Sequence, residues 1–428
     1  MIADPIVDEL AAAVDRCNGC GFCQAGCPVY KVTGVEWTVA RGRVALLRNA
    51  LSGRLPLDDG IREPMFNCLT CGGCVDHCPP GVPTDKIVTK ARAELARRRG
   101  LPWVQQLLFS RVLPNPNLMA ASFRLAWLGQ VSRLEPLARA SGALAFVGLG
   151  EAAGLLPPLS GQTGKMLATA AKRPQDKPAY RVAYFLGCGT NNLFPAAAGA
   201  SVRVLQRRQV DVLIPDIVCC GKPPVSYGDV ASARALARRN VDALMALDVD
   251  AVVTDCATCG SFLREYGELL ESDQAYAEKA KALAEKVCDV LAFLSQIGAD
   301  EEMGRVEATV TYHDPCHLGR FQKVSKPPRE LLQSVPGVRY AELPEANMCC
   351  GGAGSYSLTH YDISMQVLDR KMGNVARTGA EILATACPGC AMQLTYGVKR
   401  HGLRSKVLHV VEVLDQAYRR RGGFQGQE

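Results

Sequence analysis

The sequence has no stretch of about 18 or more uncharged apolar residues, so no membrane-spanning helix is expected. The nearest candidate, residues 143–159, is broken by Glu151, several glycines and two prolines. Nucleotide chemistry is missing as well. Gly148-x-Gly150-x3-Gly154 has the wrong spacing for a dinucleotide fingerprint and follows no strand pattern. Gly161-x2-Gly164-Lys165 is too short for a phosphate loop and lacks its Ser/Thr. No nucleophile elbow or HExxH helix is present. Hydride chemistry is therefore not evident, and no flavin is expected on this chain. Residues 1–16 carry acids rather than a basic start followed by an apolar run, so no export leader is expected. Aromatics are scarce, at 6%, whereas Ala, Gly, Leu and Arg abound, which suits helices packed on small sheets.

Cysteine is what the chain has in excess. Of 19 cysteines, all but Cys288 fall into repeating arrays. CxxC-type spacing without an export leader points to metal binding in a reducing, cytoplasmic compartment rather than to a disulfide framework. The formal charge of +7 could suggest nucleic acid. It counts cysteines as neutral, however, and metal binding deprotonates them. A cubane cluster on four thiolates carries a charge of roughly −2, so several would bring the protein near neutrality. Nucleic acid is not expected as a partner. Basic side chains are expected as counter-charge around buried anionic clusters.

The first array is Cys17-x2-Cys20-x2-Cys23-x3-Cys27-Pro28 and Cys68-x2-Cys71-x2-Cys74-x3-Cys78-Pro79. This is the run of bacterial two-cluster ferredoxins, in which the fourth cysteine serves the other cluster. One cubane 4Fe–4S cluster is therefore expected on Cys17, Cys20, Cys23 and Cys78, and a second on Cys68, Cys71, Cys74 and Cys27. Between the motifs, residues 36–51 have apolar positions at helical spacing, Val39, Val44, Leu46, Leu47 and Leu51. A helix there predicts the all-helical ferredoxin variant, with Trp37 in its core and Arg41 on its surface. Cys288 is expected on a helical face as an inert core thiol.

The second array is duplicated. Strands are predicted at 181–187, 210–214 and 251–255, each leading to cysteine: Cys188, then Cys219-Cys220-Gly221, then Cys256-x2-Cys259. Strands at 307–313, 338–343 and 381–386 lead likewise to Cys316, to Cys349-Cys350-Gly351 and to Cys387-x2-Cys390. Matching cysteines lie 128, 130 and 131 residues apart, which marks an internal duplication. Alternating strands and helices predict parallel sheets with the cysteines at their carboxyl ends. The two halves are expected to pack as a pseudo-twofold pair. Five thiolates including an adjacent pair suit a distorted cluster better than a cubane. A zinc site, a disulfide and an empty repeat are the competing readings. His313 and His317, flanking Cys316, are expected to hydrogen-bond cluster sulfur or backbone.

The fold expected is thus α+β and multidomain: a helical two-cluster unit over 1–100, a helical connector over 101–180, and α/β half-domains over 181–300 and 301–428. This arrangement resembles the CCG-domain iron–sulfur family. HDPCHLGR (313–320), MCCGGAG (348–354) and CPGC (387–390) resemble in particular the iron–sulfur subunits of glycolate and lactate oxidases; heterodisulfide reductases share the architecture. The resemblance implies noncubane 4Fe–4S clusters in one or both repeats. It implies an electron-transfer subunit between a partner FAD-dependent 2-hydroxy-acid dehydrogenase and quinone or another carrier, located in the cytoplasm or on the inner face of the plasma membrane. The alternative it carries is reduction of a disulfide at paired noncubane clusters.

Overall fold

The computed structural model describes residues 5–132, 154–171, 178–298 and 303–421; Gly148 and Gly150 of the glycine motif lie outside them. Helix Pro5–Asp15 leads into the first cysteine motif, and helices Ala40–Leu51 and Asp59–Phe66 fill the interval before the second. The apolar stripe of Ala40–Leu51 explains its place. Val44 and Leu47 pack with Leu10, Val14, Ile61 and Met65, and Ile87 and Val88 of helix Thr84–Arg99 close the bundle. No strand occurs among the described residues of this unit, as the helical period over 36–51 predicts. Trp37 departs from expectation. It is 36% exposed, because it belongs to a separate 3-10 turn, Glu36–Thr38, that precedes the helix and does not share its buried stripe.

The two motifs meet through the short helices Cys23–Gly26 and Gly73–Asp76. A Cβ at Gly26 would sit 2.1 Å from the Gly73 carbonyl oxygen, and one at Gly73 would sit 2.4 Å from that of Gly26. Only glycine permits backbones this close.

Two parallel four-stranded sheets follow. The first holds β1 (Tyr180–Tyr184), β2 (Val210–Leu213), β3 (Ala251–Thr254) and β4 (Val287–Asp289) in the order β2-β1-β3-β4. The second holds β5 (Ala308–Tyr312), β6 (Val338–Tyr340), β7 (Ile382–Thr385) and β8 (Lys406–His409) in the order β6-β5-β7-β8. Equal topology fits the duplication. Neither fourth strand was expected, because each leads to no array cysteine and passes directly into a helix, Val290–Gln296 or Val410–Arg421, so that its apolar run reads as part of that helix. Cys288 is accordingly a strand residue, paired with Val253, and not a helical one. It is half-buried against the first sheet's core, and burial pushes its thiol up to about 11.

The two repeats pack reciprocally through their helices. The helix after β1 (Cys188–Leu193) meets the helix after β7 (Pro388–Arg400), and the helix after β3 (Ala257–Arg264) meets the helix after β5 (Cys316–Gly319). Ala257 N donates to Ala386 O at 3.2 Å, and Arg203 pairs with Asp415 at 2.6 Å. From the connector, Phe109, Leu113, Met119, Leu155 and Ala168 enter the core of the sheets.

Candidate metal centres

Each ferredoxin-type motif wraps a cavity, and the fourth cysteines cross. A cavity of about 340 Å³ is lined by Cys17, Cys20, Cys23 and Cys78, and also by Cys74, which lines the second cavity as well. A second, of about 350 Å³, is lined by Cys68, Cys71, Cys74 and Cys27. Backbone N–H groups already point at several sulfurs: Tyr30 N at Cys27 (3.4 Å), Thr70 N at Cys68 (3.4 Å) and Val82 N at Cys78 (3.3 Å). Such donors favour the thiolate. Burial does the opposite and pushes the Cys23, Cys27 and Cys74 thiols up. Buried thiolates in these numbers need bound cations, and an iron–sulfur cluster suits an all-cysteine donor set.

Two buried guanidinium groups stand by the second cavity. Arg43 is 2% exposed and donates to Pro64 O and Asn67 O, both at 2.7 Å; its charge opposes the effect of burial on Cys27. Arg92 donates to Cys68 O at 2.6 Å and to Ser226 O at 2.9 Å. Both bond backbone carbonyls rather than carboxylates, so their charge faces the thiols uncancelled. Neither residue stands out from the motifs or their spacing. A signal is nevertheless present: Arg43 shares the 39-43-47 stripe with Val39 and Leu47, and Arg92 the 88-92-95 stripe with Val88 and Leu95. Arg41, by contrast, lies at the surface beside the first cavity, bonded to Glu36 at 2.5 Å and to Gly19 O at 3.3 Å.

In the α/β unit all ten cysteines follow strand ends. Gly221 and Gly351, next to the Cys-Cys pairs, both have left-handed backbones (φ +95° and +87°), and a Cβ at Gly351 would lie 2.8 Å from Ser364 O. In the first set neighbouring thiols act on one another's titration in the order Cys188, Cys219, Cys220, Cys259, Cys256. In the second they do so in the order Cys316, Cys349, Cys350, Cys390, Cys387. Cys256 and Cys387 act on one another in this way across the pseudo-twofold, as do Cys349 and Cys71 of the helical unit. Thiols close enough to act on one another therefore follow in series from Cys71 to Cys188. Hydrogen bonds from the neighbouring Cys219 and Cys349 hold Cys220 and Cys350 well below the usual thiol range.

Supporting groups differ between the halves. Asp255, before Cys256, accepts from Tyr184 (2.5 Å), Thr190 (2.8 Å) and Ser201 (3.0 Å), all buried; Ala386 precedes Cys387. Behind Cys349 and Cys350 lies Lys371, 0% exposed, donating to Glu345 O at 2.6 Å, with burial lowering it to about 8. His313 and His317 both sit beside the second set, and burial lowers each to about 3. His317 Nδ1 is 3.5 Å from Cys316 Sγ, whereas the His313 ring meets no backbone group. Cys316 also lines an open cleft of about 820 Å³ with Asp76, Asp314, Arg320, Lys326 and Arg329.

An all-helical dicluster unit docked on a duplicated cysteine-rich α/β unit defines an iron–sulfur protein of the CCG type. The 4Fe-4S dicluster domain signature matches residues 13–82, and the cysteine-rich domain signature matches 182–264 and 310–395. A signature for the linker region of the glycolate oxidase iron-sulfur subunit matches 100–156. The chain is 33% identical to a "Probable glycolate oxidase iron-sulfur subunit" of Bacillus subtilis, over 94% of this chain and 93% of the relative. It is 28% identical to a subunit of the "Fumarate reductase (CoM/CoB)" of Methanothermobacter marburgensis, over 94% of this chain and 72% of the relative. Its similarity to "Lactate utilization protein A" of Bacillus subtilis is 33% over 55% of this chain and 99% of the relative. The chain belongs to the CCG-domain iron–sulfur family that contains these oxidoreductase subunits. Among the described residues, no helix is long and apolar enough to cross a membrane.

Proposed function

We propose that this chain is the electron-transfer subunit of a 2-hydroxy-acid dehydrogenase of the glycolate or lactate type. Its partner would be an FAD-containing subunit that oxidises the acid, and electrons would leave toward quinone or another carrier. Cys17, Cys20, Cys23 and Cys78 would hold one cubane 4Fe–4S cluster, and Cys68, Cys71, Cys74 and Cys27 another. One or both five-cysteine sets would hold a noncubane 4Fe–4S cluster. Bound there, the clusters would supply one-electron redox capacity, which a flavin can match to a two-electron oxidation. The protein's own work is to exclude water from the thiols, to offer N–H donors to sulfur, and to place Arg43, Arg92 and Lys371 as buried counter-charge. The observation that supports this reading is the series of thiols, each close enough to act on the next, from Cys71 to Cys188. The test is anaerobic purification from the native host, with iron, acid-labile sulfide and flavin assayed. Co-purification with a flavoprotein and two cubane signals plus at least one noncubane signal are expected; iron–sulfur protein isolated without any flavoprotein would refute the subunit assignment.

One observation favours a second reading, reduction of a disulfide. The proximity of Cys256 and Cys387 puts both five-cysteine sets side by side, so a disulfide could accept an electron from each. That chemistry needs two noncubane clusters. An EPR spectrum of oxidised, thiol-treated protein with a single noncubane species would exclude it.

A further inference from the structure

His313 follows β5 and is 0% exposed. Its backbone is satisfied, with N–H donating to Ala384 O at 2.9 Å and the carbonyl accepting from Thr385 Oγ1 at 3.3 Å. Its ring is not: neither Nδ1 nor Nε2 has a hydrogen-bond partner. A buried imidazole with two orphaned nitrogens is costly unless another species binds it. What the ring faces is sulfur. One ring nitrogen, Cys350 Sγ and Cys390 Sγ all lie within 4.8 Å of one another. A tetrahedral first-row metal ion with bonds of about 2.0–2.3 Å holds its donors about 3.5–3.8 Å apart, so modest side-chain adjustment closes this triad on one ion.

We infer that His313 is itself an iron ligand, binding through a ring nitrogen the same iron as Cys350 and Cys390 in the second five-cysteine set. This rests on the reading that the second repeat holds a cluster, and it replaces the expectation that His313 only hydrogen-bonds sulfur or backbone. The first repeat has no counterpart. His313 stands three residues before Cys316, and the residue three before Cys188 is Phe185, buried and without a donor atom. A neutral imidazole adds no negative charge where a thiolate would, and His ligation raises the potential of iron–sulfur centres. The two repeats, alike in cysteine pattern, therefore differ in redox potential, with the second the stronger acceptor. It is also the repeat that supplies Cys349, which acts on Cys71 of the helical unit.

The test uses the full chain, prepared anaerobically with its clusters and with isotopically labelled histidine nitrogen. Pulsed EPR is expected to show the strong coupling of a directly bound imidazole. That coupling is expected to vanish in His313→Phe and to persist in His317→Gln, because His317 already engages Cys316 and stacks on Phe321. His313→Cys is expected to retain wild-type iron and sulfide, to lose the nitrogen coupling and to titrate at lower potential. Only weak, hydrogen-bond-strength coupling in the unaltered protein, or coupling that survives His313→Phe, overturns the ligation while the cluster reading stands. Missing acid-labile sulfide, or zinc in place of iron, overturns the cluster reading itself.

Discussion

Tyr356 Oη donates to Asn67 Oδ1 at 2.6 Å in the buried junction between the helical unit and the second α/β repeat. Asn67 immediately precedes Cys68, and its carbonyl accepts from Arg43 at 2.7 Å. A single hydrogen bond thus ties the second α/β repeat to the start of a cysteine motif and to the cation beside it. Tyr356→Phe leaves Asn67 Oδ1 buried without a donor, and Asn67 Nδ2 already has no partner. The expected cost is about 1–3 kcal/mol. Anaerobic denaturant unfolding checks it; an unchanged midpoint would show that the junction does not depend on this bond.

The crossing of the fourth cysteines can be tested directly. Cys27→Ala is expected to deplete the cluster of the Cys68 motif and spare that of the Cys17 motif, and Cys78→Ala to do the reverse. Each variant is expected to lose one cubane signal by EPR, and the two residual spectra should differ. Identical residual spectra would count against crossed ligation.

Arg41 places a cation at the rim of the first cavity; its backbone N–H bonds Cys23, while its guanidinium bonds Glu36 and Gly19 O and acts on Cys23 through its charge. Removing that charge makes an anionic cluster harder to reduce. Arg41→Gln is expected to lower the midpoint potential of the first cluster by on the order of tens of millivolts, equivalent to about 1 kcal/mol for one electron in a partly solvated setting. A redox titration followed by EPR reads the shift. No change, or a rise, would contradict the electrostatic role.

Asp289, at the end of β4, caps helix Val290–Gln296 through Leu291 N at 2.9 Å, but its Oδ2 has no partner. Burial pushes its carboxyl up from 3.8 to about 7, and Asp255 and Cys387 act in the same direction. The folded state therefore binds this proton more tightly than the unfolded chain. Stability from this group is fully present below pH 3.8 and is lost as the pH rises toward 7. Asp289→Asn keeps the cap acceptor and removes the penalty. The variant is expected to be more stable than wild type at pH 8 by about 1–3 kcal/mol, allowing for relaxation around the ionised group, and to converge with it in acid. Thermal unfolding at pH 5 and pH 8 measures the difference; equal pH slopes in the two proteins would reject it.

Cysteine spacing determined the ferredoxin-type unit and the duplication, and strand–helix alternation the parallel sheets, because metal ligation and that alternation leave local, periodic marks. The helix over Ala40–Leu51 was legible for the same reason, since its buried stripe repeats along the chain. Strands β4 and β8 were not, because each runs without a break into a helix, Val290–Gln296 or Val410–Arg421, and leads to no array cysteine that would mark its end. Only the tertiary structure decided that Arg43 and Arg92 are buried cations bonded to carbonyls, that the second repeat rather than the first supplies the cysteine that acts on Cys71, and that the His313 ring faces Cys350 and Cys390. Each of these is a relation between residues far apart in sequence, fixed by how packed elements meet; local propensity does not encode which sulfur faces which.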